Sequence, residues 1–89
     1  MKRVILIVFA LLSLVSVAFS QPSKKAVKAY ESAEEAFLKR DYTKAYQHVL
    51  KAIVEDPNYA EAWLLEGEIG METKDYDMAI LGYEKALEI

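Results

Sequence analysis

The sequence predicts an all-α protein: antiparallel helical hairpins, four helices in total, stacked as a short solenoid. Three observations predict it. The stretch "RDYTKAYQHVLKA" at residues 40–52 recurs as "KDYDMAILGYEKA" at 74–86, a spacing of thirty-four, and a fixed period of about 20 to 50 residues marks stacked supersecondary units. Within each copy the apolar residues step by three and four, the helical period. No segment outside the leader alternates apolar and polar residues in the way a half-buried strand requires.

The first twenty residues stand apart from the repeat. Lys2 and Arg3 form a positive end, Val4 to Leu12 is an unbroken apolar run, and Ala18 and Ser20 place small residues at the two cleavage-determining positions. That three-part pattern predicts a signal peptide over 1–20, cleaved after Ser20. The alternative is an uncleaved N-terminal membrane anchor, but a bilayer-spanning helix needs about 20 apolar residues. Residues 21–25 read as a short linker, followed by two units, 26–59 and 60–89, the second truncated.

Residues 26–55 lie over 60–89 without a gap, with seven identities: Ala26 and Ala60, Glu34 and Glu68, Asp41 and Asp75, Tyr42 and Tyr76, Ala45 and Ala79, Lys51 and Lys85, Ala52 and Ala86. Ala26, Ala29, Tyr30, Ala33 and Phe37 form the stripe of the first helix. Tyr42, Ala45, Tyr46, Val49, Ala52 and Ile53 form that of the second. Asp41 can accept from the free N–H groups that open the second helix. Pro57 excludes the α conformation at Asp56 and ends it. Asn58, with Glu61 three residues on, predicts a cap for the third helix. The helices are expected at 24–39, 42–54, 59–72 and 76–88.

Composition narrows the function. The chain has 11 Lys and Arg against 14 Asp and Glu; without Lys2 and Arg3 the balance is 9 to 14, a net charge of −5. Nucleic-acid binding rests on cations that displace counterions from phosphates, so this acidity argues against it. The absence of cysteine excludes disulfides, thiolate metal sites and thiol catalysis.

With the period and its small residues in place, the chain resembles two tandem tetratricopeptide repeats over residues 26–89. The family's unit has an aromatic at its fourth position, small residues at the eighth, twentieth and twenty-seventh, and proline at the thirty-second. Trp63 supplies the aromatic; Ala33 and Gly67, Ala45 and Ala79, and Ala52 and Ala86 supply the small residues; Pro57 supplies the proline. Small residues serve because two helices approach closely only where one presents little side chain. There are departures. Ala29 stands where Trp63 does in the second unit, Glu66 occupies a position usually held by Leu, and Gly70 replaces a large residue, which predicts close helix approach. Nothing in the sequence accounts for Gly82.

No arrangement of residues predicts catalysis, a cofactor or a metal. His48 is the sole histidine, and one imidazole makes neither a nucleophile-base pair nor a zinc site. It reads as a solvated or groove-edge side chain. Glu34 with Glu35, and Glu66 with Glu68, read as solvated helix charges because nothing nearby would separate their pKa values. The tyrosines (30, 42, 46, 59, 76, 83) read as packing between helices. The expectation is a protein that is not an enzyme.

The resemblance implies recognition of a peptide or helix on a concave face built by the first helix of each repeat. Carried over by position, that face comprises Val27, Tyr30, Glu34, Phe37 and Leu38 from the first unit and Glu61, Leu64, Glu68, Met71 and Glu72 from the second. Its apolar surface with acidic edges suits a partner that is partly hydrophobic and partly basic. The family's carboxylate clamp uses Lys, Asn and Arg. Here the matching positions hold Tyr30, Glu34 and Leu65, so no such clamp is expected.

A repeat of this kind cannot bury its own apolar face, and two units are fewer than the three or so usually needed. Ile80, Tyr83 and Leu87 are therefore expected as an uncovered stripe on the last helix. The stripe predicts self-association, docking on an envelope component, or a chain that is the N-terminal piece of a longer protein. A leader followed by such repeats resembles the start of bacterial envelope proteins with later propeller-like or peptidoglycan-binding domains. The predicted location is the periplasm or cell envelope.

Overall fold

The computed structural model describes residues 21–89; the signal-peptide reading falls on residues 1–20 and lies outside them. Four helices follow one another: α1 (Lys24–Leu38), α2 (Tyr42–Glu55), α3 (Ala60–Thr73) and α4 (Tyr76–Glu88). No strand occurs among the described residues. α1 packs against α2 and α3 against α4, making two antiparallel hairpins, while α2 lies on α3 and α1 also touches α3. α4 touches only α3 among the described helices.

Local chemistry fixes the helix starts. The Ser23 hydroxyl accepts from the Ala26 N–H at 3.1 Å. Asp41 accepts from the Lys44 N–H and Asp75 from the Met78 N–H, each at 3.2 Å, so both second helices are capped by the same device. The turns before them also match: Arg40 and Lys74 take left-handed backbone with φ of 61° and 60°. The Asp41 N–H returns to the Ala36 carbonyl at 2.9 Å, and the Asp75 N–H to the Gly70 carbonyl at 2.8 Å. Such returns satisfy carbonyls left open at a helix end.

The cap expected from Asn58 does not form. Its N–H donates instead to the Asp56 carboxylate at 3.1 Å, and the helix opens one residue later, with Tyr59 in the capping position and no side-chain bond. The Asx turn at Asp56 and the extended backbone imposed there by Pro57 (φ −148°, ψ 93°) set that boundary. The Trp63 indole N–H then ties the loop down, donating to the Pro57 carbonyl at 2.7 Å.

The core is built of small side chains. Ala26, Ala33, Ala45, Ala52 and Ala62 are fully buried, with Val49 and Ile69 as the largest side chains wholly inside. Small residues let helix axes approach to about 8–10 Å. The tyrosines follow the expected packing with one exception: Tyr59 is buried and Tyr30, Tyr42, Tyr46 and Tyr83 are half-buried, but Tyr76 is exposed because it opens α4 on the solvent side.

Glu66 overturns its reading as a solvated charge. It is only 3% exposed, and its Oε2 has no hydrogen-bond partner. Ala62, Glu66, Ile69 and Gly70 share one helical face, and all four are buried. Burial pushes the Glu66 carboxyl above its ordinary pKa. Glu68, two positions on, lies on the other face and is exposed.

The glycines mark where α3 and α4 meet most closely. A Cβ on Gly70 would stand 2.5 Å from the Ala79 nitrogen, and one on Gly82 would stand 2.5 Å from the Gly67 nitrogen and 2.6 Å from the Trp63 carbonyl oxygen. Gly82, unexplained by the sequence, is thus the place where the two backbones touch.

Candidate functional site

The antiparallel hairpins bring the first helix of each unit side by side, and a groove of about 240 Å³ opens between α1 and α3. Seven of the ten residues expected on the concave face line it: Tyr30, Glu34, Phe37, Leu38, Glu61, Leu64 and Glu68. Leu65 completes the floor and is nearly buried. The repeat spacing explains the convergence, because Tyr30 and Leu64, and Glu34 and Glu68, are thirty-four residues apart and occupy equivalent places on adjacent helices.

The other three fall elsewhere. Val27 is half-buried and packs against the core, one turn from Tyr30. Met71 is half-exposed. Glu72 lines a second, shallower groove with Phe37, Leu38, Arg40 and Tyr42, which continues the first towards the α1–α2 turn. Sequence reasoning missed Arg40 and Tyr42, which belong to the turn and to α2. No sequence signal announced them: the Tyr42 ring lies 5.6 Å from that of Phe37 in an edge-on arrangement, a contact set by the turn between their helices.

Aromatic contacts and hydrogen bonds hold the groove walls. The Tyr30 ring lies 5.2 Å from that of Tyr59, and its hydroxyl donates to Glu34 Oε2 at 3.0 Å. Burial, then the Glu34 carboxylate, pushes the Tyr30 phenol up to about 12. Burial likewise raises Tyr59, with Glu61, Glu31 and Glu34 adding to it. Both phenols therefore remain neutral donors throughout the physiological range. Leu38 is 78% exposed and Leu64 43% exposed, so substantial apolar surface faces the solvent at this groove. Glu34, Glu61 and Glu68 surround it, and no cation lines it.

The expected open-end residues differ among themselves. Ile80 and Leu87 are exposed, Leu87 at 87%. Tyr83 is half-buried, because its ring lies over Gly67, where an added Cβ would stand 2.8 Å from it. His48 is half-buried at the edge of two grooves on the outer side of α1 and α2. Among the described residues, no three His, Asp or Glu side chains gather in a group that could hold a metal ion. No described helix is long and apolar enough to cross a membrane. No family model, curated protein or solved structure matches the chain.

Proposed function

We propose that this chain is a non-catalytic, tetratricopeptide-type interaction module of the periplasm or cell envelope, and that it receives a peptide or helix of a protein partner in the α1–α3 groove. The observation that carries the reading is the lining of that groove: Tyr30, Phe37, Leu38 and Leu64 supply apolar contact, with Glu34, Glu61 and Glu68 around them. Such a surface favours a segment that pairs apolar side chains with Lys or Arg. It repels a bare C-terminal carboxylate, since Tyr30, Glu34 and Leu65 offer no cation.

A peptide of alternating Leu and Lys, followed by fluorescence anisotropy, tests this. Binding should weaken by at least about tenfold in Leu64→Glu, the loss typical of a central apolar contact. Circular dichroism should be unchanged, because Leu64 is already partly exposed. Equal affinity for the variant and the parent would remove the groove from consideration.

A second reading rests on α4. Leu87 is 87% exposed, whereas Ile53, its repeat equivalent on α2, is 9% exposed beneath α3. The same kind of surface is covered once and open once, so α4 is a candidate assembly surface. Head-to-tail stacking of copies fits it poorly: α1 carries exposed Lys28 and Glu35 where α3 carries buried Ala62 and Ile69. Face-to-face pairing of α4 with its own copy avoids those charges, and sedimentation should then show dimers that Leu87→Lys abolishes.

A further inference from the structure

The outer side of the first hairpin, facing away from α3 and α4, differs in charge from the rest of the molecule. Residues 21–52 hold seven cations against four carboxylates, while residues 53–89 hold two, Lys74 and Lys85, against ten. Lys25, Lys28, Lys51, His48 and Glu55 line one groove of this flank. Lys39, Lys44, Glu35 and Asp41 line a second, which meets the first at Ser32 and His48. Two of the three carboxylates are engaged locally: Glu35 Oε1 lies 3.0 Å from the Lys39 ammonium, and Asp41 accepts from the Lys44 N–H. Among the described residues, Lys25, Lys28, Lys44 and Lys51 make no ion pair. Four uncommitted ammonium groups therefore share one side of an otherwise acidic protein.

We propose that this flank is a docking surface for an anionic lipid bilayer, held by Lys25, Lys28, Lys44 and Lys51. Charge complementarity favours this occupant. Cations and carboxylates are segregated, so a planar negative surface attracts the protein in one orientation and repels it in the others. Attraction of this kind acts within about 8 Å at physiological salt, so the lysines must meet the surface directly. A second copy is the weaker occupant, because the acidic end of the molecule also carries Ile80 and Leu87, which would be buried against ammonium groups. The flank shares no lining residue with the α1–α3 groove.

The test is lysine acetylation, read residue by residue by mass spectrometry, on the full chain mixed with vesicles. One set is phosphatidylcholine alone; the other contains a third phosphatidylglycerol. Lys2 and Arg3 also favour anionic lipid, so the control is a variant that keeps the first twenty residues and loses two of the flank lysines. Labelling of Lys25, Lys28, Lys44 and Lys51 should slow by about fivefold on the anionic vesicles and recover in 1 M salt, with Lys74 and Lys85 unchanged. In Lys28→Glu/Lys51→Glu the protection of Lys25 and Lys44 should disappear while helicity persists, since both substituted positions are exposed. Equal labelling on the two vesicle types would overturn the proposal. So would protection that appears without lipid and grows with protein concentration, which would identify a second copy as the occupant.

Discussion

The two hairpins share their turn chemistry and differ where their helices cross. In the first, Ala33 and Ala36 on α1 face a partner helix that carries His48. In the second, the equivalent positions are Gly67, Gly70 and Gly82. Each glycine costs about 1 kcal/mol of helix propensity relative to Ala, and in return α3 and α4 approach until their backbones touch. Ala79 and Gly82 are buried in that contact. The lesson is that thirty-four-residue equivalence specifies a trace, while the residues at the crossing decide how tightly each copy closes.

Substitution of the same position in both hairpins separates the two crossings. Gly82→Ala should destabilise by about 3 kcal/mol or more, because its Cβ meets backbone atoms that cannot move aside. His48→Ala, one repeat earlier, should stay within about 0.5 kcal/mol, as surface-edge changes do. Urea unfolding of the two variants checks this, and a stabilised Gly82→Ala would mean that helix propensity dominates over the crossing.

The next largest contrast separates the covered second helix from the uncovered one. Ile53→Lys places an ammonium group beneath α3 and should cost about 3 kcal/mol. Leu87→Lys places one in solvent and should be close to neutral for the monomer. Thermal melts at low protein concentration distinguish them.

Glu66 on α3 is buried where α1 carries Ser32 in the equivalent place. Glu66→Leu should stabilise by about 1–2 kcal/mol at neutral pH, by removing a buried carboxylate oxygen without a partner. The sign with pH follows from burial, which raises the folded-state pKa above the ordinary 4.5. Below the ordinary value both states are protonated and the penalty is absent. Between the ordinary and the raised value the unfolded state releases its proton while the folded carboxyl keeps it, so stability falls, and the loss is complete once the pH has risen through the raised value. Denaturation in urea should therefore show a parent protein that loses stability across that interval relative to Glu66→Gln. A parent without that relative loss would place water or a cation beside the carboxylate.

The smallest effect tests what the hairpins share. Arg40→Gly and Lys74→Gly should each stabilise by about 0.5–1 kcal/mol, because both replace a side chain held in left-handed backbone. Unequal gains would show that the two turns, alike in geometry, are strained to different degrees.

Most of the candidate groove was expected from the family resemblance, which assigned its residues by position. Tyr30, Glu34, Phe37 and Leu38 follow one helix face, and a fixed repeat sets Leu64 and Glu68 beside them. Arg40 and Tyr42 were not legible, since their place at the groove depends on left-handed backbone at Arg40, which a sequence without glycine there does not announce. Asn58 failed as a cap because the Asx turn at Asp56 starts the helix one residue later, which leaves Tyr59 in the capping position.

By itself the sequence determined the number of helices, their ends to within a residue or so, the cap at Asp41, and the pairing into hairpins. These follow from contacts within a few positions along the chain and from a period repeated once. The tertiary structure alone decided that Glu66 is buried while Glu68 is not, that Gly82 admits the backbone of α3, and that Ile53 is covered where Leu87 is bare. It also decided that Lys25, Lys28, Lys44 and Lys51 gather on one flank. Each of these depends on which helix lies opposite, and burial, desolvation and charge proximity are set by neighbours in space.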